Sequence, residues 1–82
     1  MPVRASEQRK ARIQSYPKSM VEMAIKETVY GEAEQRAVRD IFVGNATYDE
    51  TAYEVMHMSP SGLYKKMRKI MPPVENYLKR LN

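Results

Sequence analysis

The chain has 82 residues, 43% of them apolar, with 14 Lys and Arg against 10 Asp and Glu and no cysteine. This length allows one domain with a modest core, and the apolar fraction is too high for compositional disorder. A catalytic cleft between two lobes, a disulfide framework and a thiolate metal site are not expected; no apolar run approaches the roughly 18 residues of a bilayer span, and the first residues lack the apolar stretch of a signal peptide.

The net charge of +4 conceals a pattern. Residues 1–15 carry Arg4, Arg9, Lys10 and Arg12 against Glu7 alone. Residues 16–58 carry four cations against eight carboxylates, and residues 59–82 carry Lys65, Lys66, Arg68, Lys69, Lys79 and Arg80 against Glu75. A polyanion is drawn to the two ends and repelled by the middle.

In chain order, residues 1–16 read as a basic N-terminal arm, flexible or a frayed helix. Ser6 can cap "SEQRKARIQ", but Ile13 is the one residue this segment offers to a core. Pro17 suits a first helical turn, and the residues after it place Val21, Ala24, Ile25 and Thr28 on one face, widened by Met20 and Met23. Gly31 is expected near the C-cap of that helix. Next, Ala37, Val38, Ile41 and Phe42 form an apolar stripe, Glu32 and Glu34 favour the helix start, and Gly44-Asn45 is a stop signal. Thr47 and Glu50 have capping-box spacing before the stripe Tyr48, Thr51, Ala52 and Val55. Ser59 is another N-cap, with Pro60 at the first helical position, where a missing N–H costs nothing. Leu63, Met67 and Ile70 are the expected buried stripe of this helix, with Met71 beside it. Pro72-Pro73 is expected to end it at 71, because the residue before proline is pushed out of the helical region. A separate last helix would then carry Val74, Tyr77, Leu78 and Leu81 on one face. The fold class expected is all-α: a small four- to five-helix domain over residues 17–82, with a helix-turn-helix at about 47–71.

The helices 47–57 and 60–71 are joined so tightly that they must pack at a steep angle. The second has a basic polar face, with no acid from Ser59 to Val74. A helix that enters a groove needs this arrangement: cations for the phosphate walls and small residues where it approaches the bases. The stretch "AVRDIFVGNATYDETAYEVMHMSPSGLYKKMRKIM" resembles the fourth-region helix-turn-helix of bacterial sigma factors, and among such proteins it is nearest in look to small phage late-transcription activators of the RinA and ArpU type. Phe42 matches the aromatic that ends the preceding helix, Thr47-Tyr48-Asp49-Glu50 the turn and cap, Ala52 the small residue, Met58-Ser59 the opening of the second helix and Leu63 its anchor. Two features depart from that pattern. Six residues separate Ala52 from Ser59 where the family has five, and His57 stands where a turn glycine is usual. Either the first helix runs one residue longer, or the alanine role shifts and Tyr53 takes an unusual position.

With Leu63, Met67 and Ile70 facing inward, Ser61, Tyr64, Lys65 and Arg68 face out and are the expected base-contacting residues. Lys65 or Arg68 can donate to guanine O6 and N7, and Tyr64 can touch a thymine methyl. Thr47, Ser59, Lys66 and Lys69, with Arg9, Lys10 and Arg12 of the arm, are the expected phosphate contacts. The competing reading of each lysine is plain solvation, and of Tyr64 partial burial. His57 stands alone and reads as a turn or capping residue, and the methionines read as core. Neither "GEAEQR" nor "SPSG" has phosphate-loop spacing, and Glu32 and Glu34 point in different directions.

No enzyme activity, cofactor or metal is therefore expected. The expected function is sequence-specific binding of double-stranded DNA by a phage or mobile-element transcriptional regulator, cytoplasmic in a bacterial host cell or at its nucleoid. A DNA-packaging or recombination accessory (a small terminase subunit or an excisionase) uses the same motif. The reading of a different class is a protein-interaction module that docks on RNA polymerase or a sigma factor through the acidic middle. Further expected partners are RNA polymerase and a second copy of the chain through the C-terminal helix.

Overall fold

In a computed structural model, residues 5–81 are described, with side chains from Glu7 onward. The architecture is all-α. Helix α1 spans Ala5–Gln14, α2 Lys18–Thr28, α3 Glu32–Phe42 and α4 Tyr48–Thr51, which continues directly into a π-helical turn, Ala52–Met56. Helix α5 then runs Pro60–Leu81.

The stripe of α3 lies where its spacing places it: Ala37, Val38, Ile41 and Phe42 are all buried. The helix stops at the expected signal, with Asn45 in the left-handed region (φ 62°) and the Ala46 N–H donating to the Asp40 carbonyl at 2.7 Å. Val21, Ala24 and Ile25 of α2 are buried, while Met23 stays exposed. Gly31 does not close α2. That helix ends at Thr28, Val29 turns into extended backbone with its side chain in the core, and Gly31 becomes the N-cap of α3. Burial of Val29 fixes the exit earlier than the glycine suggests.

Other expectations are corrected as well. Residues 5–14 are not a loose arm. The helix already runs through Ser6, so Ser6 is not its cap, and Ile13 is 1% exposed in the common core. Arg4 lies outside the described residues. Secondly, Pro72-Pro73 does not end a helix at 71; α5 is one helix of 22 residues with both prolines inside it. Its buried residues are Leu63, Met67, Met71, Val74 and Leu78, spaced 4, 4, 3 and 4 apart without a break in phase. Ile70, expected in this stripe, is only half-buried, and Met71 takes its place. The missing proline amides would have bonded the carbonyls of Arg68 and Lys69. Both of those residues and both prolines are exposed, so that backbone faces water. An interior proline costs about 3 kcal/mol. The two prolines together thus cost about 6 kcal/mol, comparable to what burying Met71, Val74 and Leu78 contributes at about 1.5–3 kcal/mol each.

Helix α5 is the hub of the core. Its main partner is α2, and α4 and the π-helical turn pack beside its first half. Helix α1 rests on α2 and α3.

Candidate nucleic-acid interface

The entry to α5 is built by two caps and one widened turn. The Thr47 hydroxyl accepts from the Glu50 N–H at 3.1 Å and starts α4. Ser59 does the same for α5, accepting from the Gly62 N–H at 3.2 Å, and Pro60 follows at the first helical position. Between them the chain makes a π-helical turn. The Ala52 carbonyl accepts from the N–H of His57 and, at 2.9 Å, from that of Met58. A π turn holds one residue more than an α turn. Ala52 is buried at 0% exposure within this turn, while Tyr53 points outward. His57 then ends the turn in the left-handed region (φ 52°, ψ 45°). Glycine is the usual residue in that conformation, and a side chain there costs roughly 1–2 kcal/mol.

Burial of Leu63, Met67 and Met71 turns the opposite face of α5 outward. Ser61, Lys65, Arg68 and Lys69 are exposed along it. Among the described residues, none of these three cations has an ion-pair partner. The hydroxyls of Ser59 and Ser61 lie 3.3 Å apart at the helix start. Lys66 differs: its Nζ is 3.1 Å from Glu34 Oε1 on α3. The Glu34 carboxyl is held below the usual range, first by a backbone hydrogen bond at its own helix start and then by the Lys66 ammonium. Lys66 is thus engaged within the protein, and nothing in the spacing of the sequence links these two residues.

Tyr64 does not project freely either. Its ring stacks on that of Tyr48, with centroids 4.5 Å apart and planes 19° from parallel. Tyr48 meets Phe42 edge to face at 6.4 Å. This aromatic series runs from the end of α3, through the start of α4, to the half-buried Tyr64 on α5. Tyr48 is 8% exposed, and its hydroxyl, like that of Thr51, has no partner among the described residues. Burial pushes the Tyr48 phenol up to about 12, with the Arg9 charge pulling the other way. Sequence reasoning placed Tyr48 in a stripe but did not show that it holds Tyr64.

The cations of α1 are engaged as well. Arg9 Nε lies 3.2 Å from Glu75 Oε1 on α5, and Arg12 Nη2 lies 3.3 Å from the same oxygen. Lys10 Nζ donates to the Ala46 carbonyl at 3.3 Å. These three residues, expected to contact phosphate, hold α1 to α5 and to the α3–α4 connection in this structure. The C-terminal helical face expected to pair with a second copy is also reduced, since Val74 and Leu78 are 0% exposed in this chain's own core. Of that face, Tyr77 is half-buried and Leu81 is 47% exposed.

Among the described residues, no group of three or more His, Asp or Glu side chains is placed to hold a metal ion, and no helix is long and apolar enough to cross a membrane. No protein-family model matches the chain, and no curated protein or solved structure matches it.

Proposed function

We propose that this chain is a sequence-specific double-stranded DNA-binding protein, a transcriptional regulator of phage or mobile-element type working in the bacterial cytoplasm. Residues 60–71 of α5 enter the major groove as the second helix of a helix-turn-helix. The observation that carries this reading is the outward face of that segment. Lys65, Arg68 and Lys69 stand exposed without acidic partners among the described residues, and no acid occurs from Ser59 to Val74. Ser61 and Gly62 in the first turn are small enough for close approach to base edges. Lys65 and Arg68 then read bases, Lys69 and Ser59 contact phosphate, and Tyr64 presents its edge from a fixed position on Tyr48. Thr47 adds a phosphate contact from the α4 start. One helix reads only a few base pairs, so site selection calls for a second copy or for RNA polymerase bound alongside.

A second reading is favoured by another surface. Tyr53 is 64% exposed on the π-helical turn, among the exposed carboxylates of Asp49, Glu50 and Glu54. A module that docks on a basic patch of RNA polymerase or a sigma factor would use that side. A salt titration of binding to random duplex DNA separates the two. DNA binding gives a log–log slope of about −0.9 per neutralised phosphate, so affinity should fall steeply as salt rises. Absence of duplex binding at low salt overturns the DNA reading.

A further inference from the structure

The uninterrupted course of α5 places two more cations on the helix that carries the proposed reading face. We propose that Lys79 and Arg80 form a second contact with duplex DNA, a phosphate clamp flanking the segment read by residues 60–71. This rests on the DNA-binding reading and extends its footprint.

The two prolines suggest that the basic run stops at 71. In the structure the same rod continues, and position 79 shares its outward face with the reading residues. Lys65, Pro72 and Lys79 are spaced by heptads, which keeps them close to one line along a helix. Ser61 and Arg68 lie beside that line, also seven apart. Lys69 and Arg80 occupy the adjacent edge. All of these residues except Pro72 and Ser61 are cationic, all are exposed, and Asn76 between them is exposed and neutral.

One acid could spoil this surface. Glu75 is the single carboxylate on α5, and it is turned toward α1, where Arg9 and Arg12 hold it; its side chain is 17% exposed. Two guanidiniums on one carboxylate leave that flank positive. Arg12 remains 56% exposed, and it lines a small cleft with Tyr16, Lys79 and the paired Glu75. The outer side of the rear half of α5 therefore presents a net positive field to solvent, and duplex phosphate is the occupant that complements it.

The dimensions fit a backbone contact rather than a base contact. Lys79 lies about 21 Å along the axis from Lys65, and the whole helix is about 33 Å long. The major groove is about 12 Å wide and winds away from a straight rod. A helix that meets base edges near its start approaches the phosphate wall near its end, as long recognition helices of homeodomains do. Pro72 and Pro73, uncharged and without amide hydrogens, separate the reading cluster from the clamp.

The test compares the full chain with its Lys79→Gln/Arg80→Gln variant on a duplex extended by a full helical turn beyond the selected site on each side. Both positions are exposed, so the melting curve should be unchanged and serves as the folding control. The log–log salt slope of the variant should be shallower by about 1–2, since each lost phosphate contact removes about 0.9. On a duplex trimmed to the selected site the two proteins should bind alike, and sequences selected from a random pool should be the same for both. Equal slopes on the extended duplex, with selective binding by the wild type intact, overturn the clamp and leave the reading face standing. A change of selected sequence in the variant also overturns it, because it places these residues at bases. Absence of wild-type binding to any duplex overturns both proposals.

Discussion

Helix α1 and the first half of α5 carry comparable densities of positive charge, and the fold treats them in opposite ways. On α1, Arg9 and Arg12 grip Glu75 and Lys10 grips a carbonyl, while Ile13 is the helix's one fully buried side chain among those described. On α5 the helix is held by an unbroken apolar stripe, so Lys65, Arg68 and Lys69 are not needed for anchorage and face solvent. The charge of a segment therefore says little about what it offers a polyanion. What matters is whether apolar burial already holds the element in place.

The sharpest way to break this contrast is to remove the apolar anchor of α5. Leu63 is 0% exposed, and Leu63→Ala should cost on the order of 2–5 kcal/mol in urea unfolding. A loss well under 1 kcal/mol would mean that α5 is not held by its stripe.

A second test addresses the aromatic series that sets Tyr64. The Tyr48 phenol is raised to about 12 in the folded chain, against about 10 when unfolded. The folded state therefore keeps its proton where the unfolded state has lost it. The contribution is fully present below pH 10 and is lost as pH rises from 10 to 12, by up to about 2–3 kcal/mol. Tyr48→Phe should remove that part of the alkaline loss. It should also not destabilise at neutral pH, since the buried hydroxyl has no partner among the described residues. Equal alkaline sensitivity in the two proteins would show that the phenol is not buried as described.

A smaller effect is expected on α1. Glu75→Gln weakens both arginine contacts, and with Arg12 largely solvated the loss should be about 1 kcal/mol or less. The clearer readout is faster trypsin cleavage at Arg9, Lys10 and Arg12. Unchanged cleavage would mean that the arginine pair on Glu75 does not hold α1, and the contrast with α5 would weaken.

Much of this fold is legible in the sequence, and the exceptions share a cause. The stripe of α3, the Thr47 cap and the Ser59-Pro60 start are local patterns, and the structure keeps them. Pro72-Pro73 is also a local pattern, but it is overridden. The clue was present: Met71, Val74 and Leu78 continue the phase of Leu63 and Met67 across the prolines, and shared burial offsets two missing amides. Gly31 is a local stop signal, and the pull of Val29 into the core, which ends α2 earlier, is a tertiary effect. The pairs Lys66–Glu34 and Arg9–Glu75 join residues 32 and 66 apart in sequence, and no spacing rule finds them. Of the candidate site, the exposed residues Ser61, Lys65, Arg68 and Lys69 follow from the inward stripe of α5. What the sequence did not reveal is which cations the protein itself had already engaged, and that the basic face continues to Arg80.

In the proposed function, the outward face of residues 60–71 selects DNA sequence. The most direct measurement is selection of bound duplexes from a random pool by the wild type and by Lys65→Ala/Arg68→Ala, with melting curves for both. The account predicts a short enriched motif for the wild type and its loss in the double variant, at nearly unchanged melting temperature. No enrichment by the wild type, or recovery of the same motif by the variant, would contradict it.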